Sequence, residues 1–345
     1  MKVKISKNLI FNYRDKPKII AEISGNHNGS KKKFLKLIEH SIKSGADLIK
    51  IQTYEPTDIT INTKSHKFKI KKGIWKGKYL WDIYQKAHTP FKWHKEAFEL
   101  AKKYNKILFS SPFSLRAVDL LESFDVKLYK IASFEINDFR LIDYIASKKK
   151  PIIFSTGVAS LNDVKKAIKI INKYHNKIII LHCVSNYPTK LVDTNLKRIS
   201  ELKKIFKNQL VGLSDHTNNI YSSIASVPLG VVAIEKHYNL DNKTKTVDSD
   251  FSINSDQLKK LCKITKDIYL SLNSKVKKNN KQSENLKRSL FAIKDIKKGS
   301  ILTKTNISTF RPQIGISAEN FNKVIGKKIK KNITKFNPIF KKDLI

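Results

Sequence analysis

The sequence predicts a (β/α)8 barrel followed by a small β-rich domain, and three observations carry that prediction. Short β-branched runs alternate with helix-length amphipathic stretches about eight times before residue 270. The runs are apolar throughout instead of alternating, as strands of a parallel sheet covered on both faces must be. The rhythm then stops, and a polar stretch leads into some 59 residues of short strands and turns. A chain of 345 residues accommodates a barrel of about 250 and a small second unit. An open doubly wound sheet is the alternative, but no G-x-G-x-x-G follows the first strand.

Taken in order, the predicted strands are Ile19 to Ser24, Leu48 to Thr53, Ile107 to Ser111, Leu128 to Ser133, Ile152 to Thr156, Ile178 to Cys183, Val211 to Ser214 and Val232 to Lys236. Helical periodicity fills the intervals, as in Lys31 to Ser44, Lys92 to Asn105, Leu115 to Phe124, Leu161 to Tyr174 and Thr194 to Phe206. The barrel is assigned to residues 1–270, a polar linker to 271–286 and the β-rich domain to 287–345. In the latter, Arg288 to Ile293 reads as a strand, Lys297 to Ser300 as a turn, Thr303 to Asn306 as a helix start and Arg311 to Ile316 as a kinked extended segment.

Composition narrows the function. The net charge is +40, from 69 basic and 29 acidic residues. Such a balance raises nucleic-acid binding as a class, since Lys and Arg neutralise phosphates. Arg occurs only at 14, 116, 140, 198, 288 and 311, however, and the lysines are dispersed through every segment. Base and phosphate forks favour Arg, so specific nucleic-acid recognition is not expected. A field of this sign would still steer an anionic substrate. No apolar run approaches the roughly 20 residues of a membrane span, and the first residues lack a signal peptide's apolar stretch, so a cytoplasmic protein is expected. Cys183 and Cys262, the only cysteines, are too few for a disulfide framework or a thiolate metal site.

Barrel chemistry collects at the C-terminal ends of the strands. Polar residues stand there on every strand: Glu22 with Ser24, Lys50 with Gln52, Ser111, Lys130 with Ser133, Ser155, Ser185 with Tyr187, Ser214 with His216, and Glu235 with His237. Two lysines and several hydroxyls aimed at one mouth suit a multiply charged oxyanion, carrying phosphate and carboxylate. His216 and His237 end adjacent strands and can converge on one divalent ion, with paired core histidines as the alternative reading. No Cys stands at ligand spacing, which argues against a structural zinc. An ion such as Mn²⁺, or Mg²⁺ or Co²⁺, with Glu22 or Asp248 nearby, would act as a Lewis acid on a carbonyl. His27, His182 and Cys183 flank the mouth and read as supporting residues.

Seven motifs in order, Ala21-Glu-Ile-Ser-Gly-Asn-His27, Ile49-Lys-Ile-Gln-Thr-Tyr54, Phe109-Ser-Ser-Pro-Phe-Ser114, Tyr129-Lys-Ile-Ala-Ser-Phe-Glu135, Tyr187-Pro-Thr189, Gly212-Leu-Ser-Asp-His-Thr217 and Ile234-Glu-Lys-His237, resemble the sialic acid synthase family. The tail around Arg288-Ser-Leu and Arg311-Pro-x-x-Gly-Ile316 resembles that family's antifreeze-like (SAF) domain. Within the family, Ala132-Ser-Phe-Glu135, Lys50 to Tyr54 and Thr89-Pro-Phe-Lys-Trp-His94 resemble the pseudaminic acid synthase branch. A 3-deoxy-octulosonate-phosphate synthase would share the barrel but lack the tail.

The resemblance implies a transferase that condenses phosphoenolpyruvate with 2,4-diacetamido-2,4,6-trideoxy-L-altrose, with N-acetylneuraminate or legionaminate synthesis as alternatives. It implies that Lys50, Ser111, Lys130, Ser133, Ser155, Ser185 and Ser214 bind phosphoenolpyruvate. It also implies that His216 and His237 hold the metal and that Glu22 orients water or moves a proton. Gln52, Tyr187 and Asp248 would face the sugar, and Arg311 would reach an N-acetyl group from the SAF domain of a partner in a domain-swapped homodimer. Ser111 and Ser185 stand where the best-known family members carry Thr and Asn.

Overall fold

A computed structural model of the chain describes residues 1–274 and 285–345. The chain divides into two compact units, Met1–Asn273 and Ser274–Ile345. The first opens with an antiparallel hairpin, β1 (Lys2–Lys4) and β2 (Ile10–Asn12). Its buried Val3 and Phe11 join the main core. Just beyond, Tyr13 Oη accepts from the Val211 N–H at 3.0 Å, which seats this segment at the N-terminal end of the strand that begins at Leu210.

Eight parallel strands then close a barrel: β3 (Lys18–Glu22), β4 (Leu48–Thr53), β5 (Ile107–Pro112), β6 (Tyr129–Ile131), β7 (Ile152–Ser155), β8 (Ile178–Cys183), β9 (Leu210–Asp215) and β10 (Ala233–His237), with β10 paired to β3. Their burial is almost continuous, as the unbroken apolar runs require. Helices α1 (Lys31–Lys43), α2 (Leu80–Ala87), α3 (His94–Lys103), α4 (Leu115–Ser123), α5 (Phe139–Ser147), α6 (Leu161–Ile171), α7 (Lys197–Ile205), α8 (Tyr221–Ser226) and α9 (Ser255–Asn273) accompany them. Several begin at side-chain caps: Ser30, Ser114, Asp138 and Ser160 each accept a backbone N–H of the first turn.

Two expectations shift. Helix α9 runs to Asn273, past the expected end at Leu270, so Ser271 to Asn273 are helical instead of linker; of that linker, residues 275–284 lie outside the described residues. In the second unit the expected helix start at Thr303–Asn306 is a turn, because Asn306 Oδ1 takes the Thr303 N–H at 2.7 Å and the chain enters β12. There β11 (Ser289–Ala292) pairs antiparallel with β12 (Ile307–Phe310) over a core of Leu290, Ile307, Ile329 and Ile339. Among the described residues no helix is long and apolar enough to cross a membrane.

Candidate active site

Strand register builds the floor of the site. In the parallel ladders His237 lies opposite Glu22, and Glu22 opposite Lys50. Ser214 likewise lies opposite Glu235. Side chains two apart on a strand share a face, so Glu235 points to the same interior as His237, a strand-end carboxylate to which the sequence assigns no role. It is the hub. Glu235 Oε2 lies 2.9 Å from Lys50 Nζ, and its Oε1 lies 3.1 Å from Lys130 Nζ and accepts from Ser214 Oγ at 2.9 Å. Glu22 Oε2 lies 3.2 Å from Lys50, and Glu22 Oε1 accepts from Gln52 Nε2 at 3.1 Å. Two ammoniums thus face two carboxylates in a fully buried cluster.

Burial penalises every one of these charges, and pairing decides which survive. Against its burial, Glu235 is held far below the usual carboxylate range by Lys130 and Lys50. Lys50, also opposed by burial, is held above its ordinary value by Glu22 and Glu235. For Glu22 burial wins over Lys50, and its carboxyl is pushed up to about 7. Burial lowers Lys130 despite Glu235.

Above this floor is a cavity of about 400 Å³. Of the residues expected at the site, Lys50, Gln52, Lys130, Ser133, Ser155, Tyr187, Ser214, His216, His237 and Asp248 line it. Glu22 sits behind the wall, reached through Lys50 and Gln52. Ser185 meets Ser133 at 2.9 Å (Oγ to Oγ), a closeness Gly157 permits: a Cβ there would lie 2.0 Å from Ser185 Oγ and 2.8 Å from Cys183 Sγ. Ser111 is buried on β5 opposite Gln52 but is not on the cavity wall. Arg311 belongs to the second unit, where its side chain is exposed. His27 packs edge-on against Phe34 and Trp93, and His182 bonds the Thr194 carbonyl at 2.8 Å.

His216 and His237 lie with ring centroids 5.3 Å apart. Burial lowers both, His216 to about 4 and His237 well below its ordinary value, so both rings are neutral. His216 Nδ1 is 2.9 Å from the Val184 carbonyl, which makes that nitrogen the donor and leaves the lone pair on Nε2. His237 Nδ1 is buried with no hydrogen-bond partner. Two neutral imidazoles, one oriented by a backbone carbonyl and one with an orphaned buried nitrogen, fit a divalent ion as donors. The expected carboxylate does not complete them: among the described residues no group of three or more His, Cys, Asp or Glu is set to hold a metal. Asp248 instead accepts from the Gly25 N–H at 3.0 Å and from Ser24 Oγ.

Ser24 is a second strand-end residue to which the sequence assigns no role. It has φ 49°, the left-handed region that L-residues seldom adopt, and its hydroxyl joins Asp248 to Gln52, whose Nε2 lies 3.3 Å away. Backbone strain of this kind persists where surrounding contacts enforce it, commonly at functional sites.

A (β/α)8 enzyme with two buried lysines on its floor, paired to carboxylates, and a histidine pair at its strand ends is the class that fold and site define. Residues 37–277 match the NeuB family and residues 287–345 the SAF domain. The chain belongs to the NeuB family, the sialic acid synthases, and to their pseudaminic branch. It is 41% identical over 331 residues to a Campylobacter jejuni pseudaminic acid synthase, covering 94% of this chain and 95% of the relative. To the Helicobacter pylori pseudaminic acid synthase it is 41% identical over 334 residues, covering 95% and 98%. A C. jejuni N,N'-diacetyllegionaminic acid synthase is 38% identical, covering 91% and 96%. Among solved structures, an N-acetylneuraminic acid synthetase of Leptospira borgpetersenii in complex with citrate superposes with TM-score 0.73 at 27% identity, covering 82% of this chain and 94% of that one.

Proposed function

We propose that the chain condenses phosphoenolpyruvate with 2,4-diacetamido-2,4,6-trideoxy-L-altrose, giving pseudaminic acid and phosphate. The observation that carries this reading is the placement of a neutral histidine pair, His216 and His237, beside a floor bearing Lys50 and Lys130. Lys50 and Lys130 hold the phosphate and carboxylate of phosphoenolpyruvate, with Ser133, Ser155, Ser185 and Ser214 as hydroxyl donors and Ser111 supporting from behind. Ser155 Oγ is buried without a partner, a donor in search of an acceptor. Gln52, Tyr187 and Asp248 face the sugar. His216 and His237 would hold a divalent ion, proposed as Mn²⁺, which would supply Lewis acidity for the sugar carbonyl. C3 of phosphoenolpyruvate forms the bond to the aldehyde carbon, water adds at C2, and phosphate leaves by C–O cleavage. Glu22, its carboxyl raised toward neutrality, orients that water or carries its proton. Arg311 acts on an N-acetyl group from the SAF domain of a partner subunit in a homodimer, and the enzyme works in the cytoplasm.

The test is phosphate release from phosphoenolpyruvate with three sugars: the 6-deoxy diacetamido altrose, N-acetylmannosamine and the bacillosamine-derived mannose isomer. Turnover is expected with the altrose at a kcat/KM well above the other two. Preference for either of the others would overturn the sugar assignment, and turnover with none would overturn the reaction.

A further inference from the structure

Part of the cavity wall is largely apolar, with Ile70, Trp75, Leu80, Ile83, Tyr84 and Ala87 lining it. Ile70 and Trp75 come from the segment between β4 and α2, and they pack with Ile83, Ala87 and Val247 in an apolar cluster separate from the barrel core. The segment closes on itself through the Ile70 N–H to the Lys78 carbonyl and the Gly77 N–H to the Ile70 carbonyl, both 2.8 Å. Trp75 stands between Gly73 (φ 80°) and Gly77 (φ 86°). No atom lies within 4 Å of a Cβ built at either glycine, so conformation and not space requires glycine there. Those two reversals aim the indole at the mouth. Its Nε1–H donates to the Val247 carbonyl at 3.2 Å, beside Asp248, and its ring lies 5.9 Å from Tyr187 and 6.1 Å from Phe251.

The indole's single polar group is therefore satisfied by the protein, and what it turns to the cavity cannot hydrogen-bond. A hydroxyl placed against such a wall gives up water without replacement, whereas a methyl loses nothing. Resting on the proposed condensation, we infer that Trp75 is a specificity-determining residue whose apolar face receives a methyl group of the sugar. The sugar carries such methyls at C6 and on its acetamido groups. A hydrophobic pocket discriminates against an added hydroxyl or a missing methyl by roughly 10- to 100-fold, which sets the scale.

The experiment compares kcat/KM for the diacetamido 6-deoxy sugar with that for its 6-hydroxy analogue, and separately with its N-formyl analogues, in the wild type, Trp75→Phe and Trp75→Ala. The wild type is expected to prefer the methyl-bearing sugar by about 10-fold or more in at least one arm. Trp75→Ala is expected to lower that ratio at least about threefold, Trp75→Phe to keep most of it, and KM for phosphoenolpyruvate to stay within about twofold. The arm that responds identifies C6 or an acetamido group as the methyl recognised. Ratios that are the same in Trp75→Ala as in the wild type, or a wild type without preference in either arm, overturn the inference. So does a fall that moves the phosphoenolpyruvate KM equally, since that marks a collapsed loop. Should Trp75→Ala not turn over, Trp75→His, which keeps a ring but adds a polar edge, reads the same ratios. Failure of the wild type to use any of these sugars would count against the proposed function and not against Trp75.

Discussion

Lys236 and Asp215 are ladder partners on β10 and β9, and their side chains meet at 3.2 Å with at most 1% exposed. Each is the neighbour of a site histidine, but alternation along the strand turns both away from the cavity. There Asp215 also accepts from the Thr217 N–H at 2.8 Å and from Ser223 Oγ at 2.5 Å. Lys236 Nζ also donates to Thr217 Oγ1 at 3.1 Å. The pair ties the two histidine-bearing strand ends together from behind. Removing one partner leaves an uncompensated buried charge, so Lys236→Met is expected to cost about 3–5 kcal/mol in the barrel's urea transition, and adding Asp215→Leu to recover part of it. A single variant as stable as the double would contradict the pairing argument.

Glu235 invites a different experiment. Because it counters both Lys50 and Lys130, it competes with any anion for them. Glu235→Gln should lower the Tm of the free protein yet enlarge the rise in Tm produced by phosphoenolpyruvate, as a multiply charged anion now meets a more positive floor. Thermal unfolding with and without phosphoenolpyruvate checks both signs, and a smaller ligand-induced rise would show that Glu235 mainly orients the lysines.

For the histidine pair the expected result is loss of divalent-metal affinity in His216→Ala and His237→Ala, read by titration of the metal, together with loss of condensation. Chelation should abolish wild-type turnover and added Mn²⁺ restore it. Mixing Arg311→Ala with His216→Ala should then recover part of the activity if the SAF domain serves a partner's barrel; no recovery speaks against exchange.

Ser24 separates strain from hydrogen bonding. Its φ of 49° suits glycine, so Ser24→Gly should be more stable than Ser24→Ala by about 1 kcal/mol. Both lose the hydroxyl that joins Gln52 and Asp248, and both should raise KM for the sugar while sparing KM for phosphoenolpyruvate. Equal stability of the two variants would remove the strain argument.

How far the site was legible in sequence follows from what each feature depends on. The strands announced themselves because a β-branched run buried on both faces has few other uses, and the ends that carry Lys50, Lys130, His216 and His237 came with them. Glu235 is visible as a strand-end residue, but its role is not, because that role rests on partners from three other strands, which one strand's residues do not encode. Ser111 has the right type and position, yet Gln52 and not Ser111 lies on the wall. Trp75 was invisible for a third reason: it sits in an irregular segment whose path two glycines set, and no periodicity marks it.

His94 gives the fold a pH dependence of calculable sign. It is fully buried, its Nε2 lies 2.8 Å from Thr53 Oγ1, and burial lowers its pKa to about 4 although the Pro90 and Phe91 carbonyls favour the charged ring. In the unfolded chain it titrates near 6.5. Above that value neither state binds the proton and the full stability is present. As pH falls from 6.5 towards 4 the unfolded chain gains the proton first, and stability drops by about 3 kcal/mol before levelling off. His27, lowered to about 4 mainly by burial, works over the same window. Replacing His94 by Gln should therefore flatten its own share of the decline and leave that of His27. Urea midpoints measured from pH 7.5 to 4 check this, and a variant with an undiminished slope would mean that His94 is protonated as readily folded as unfolded.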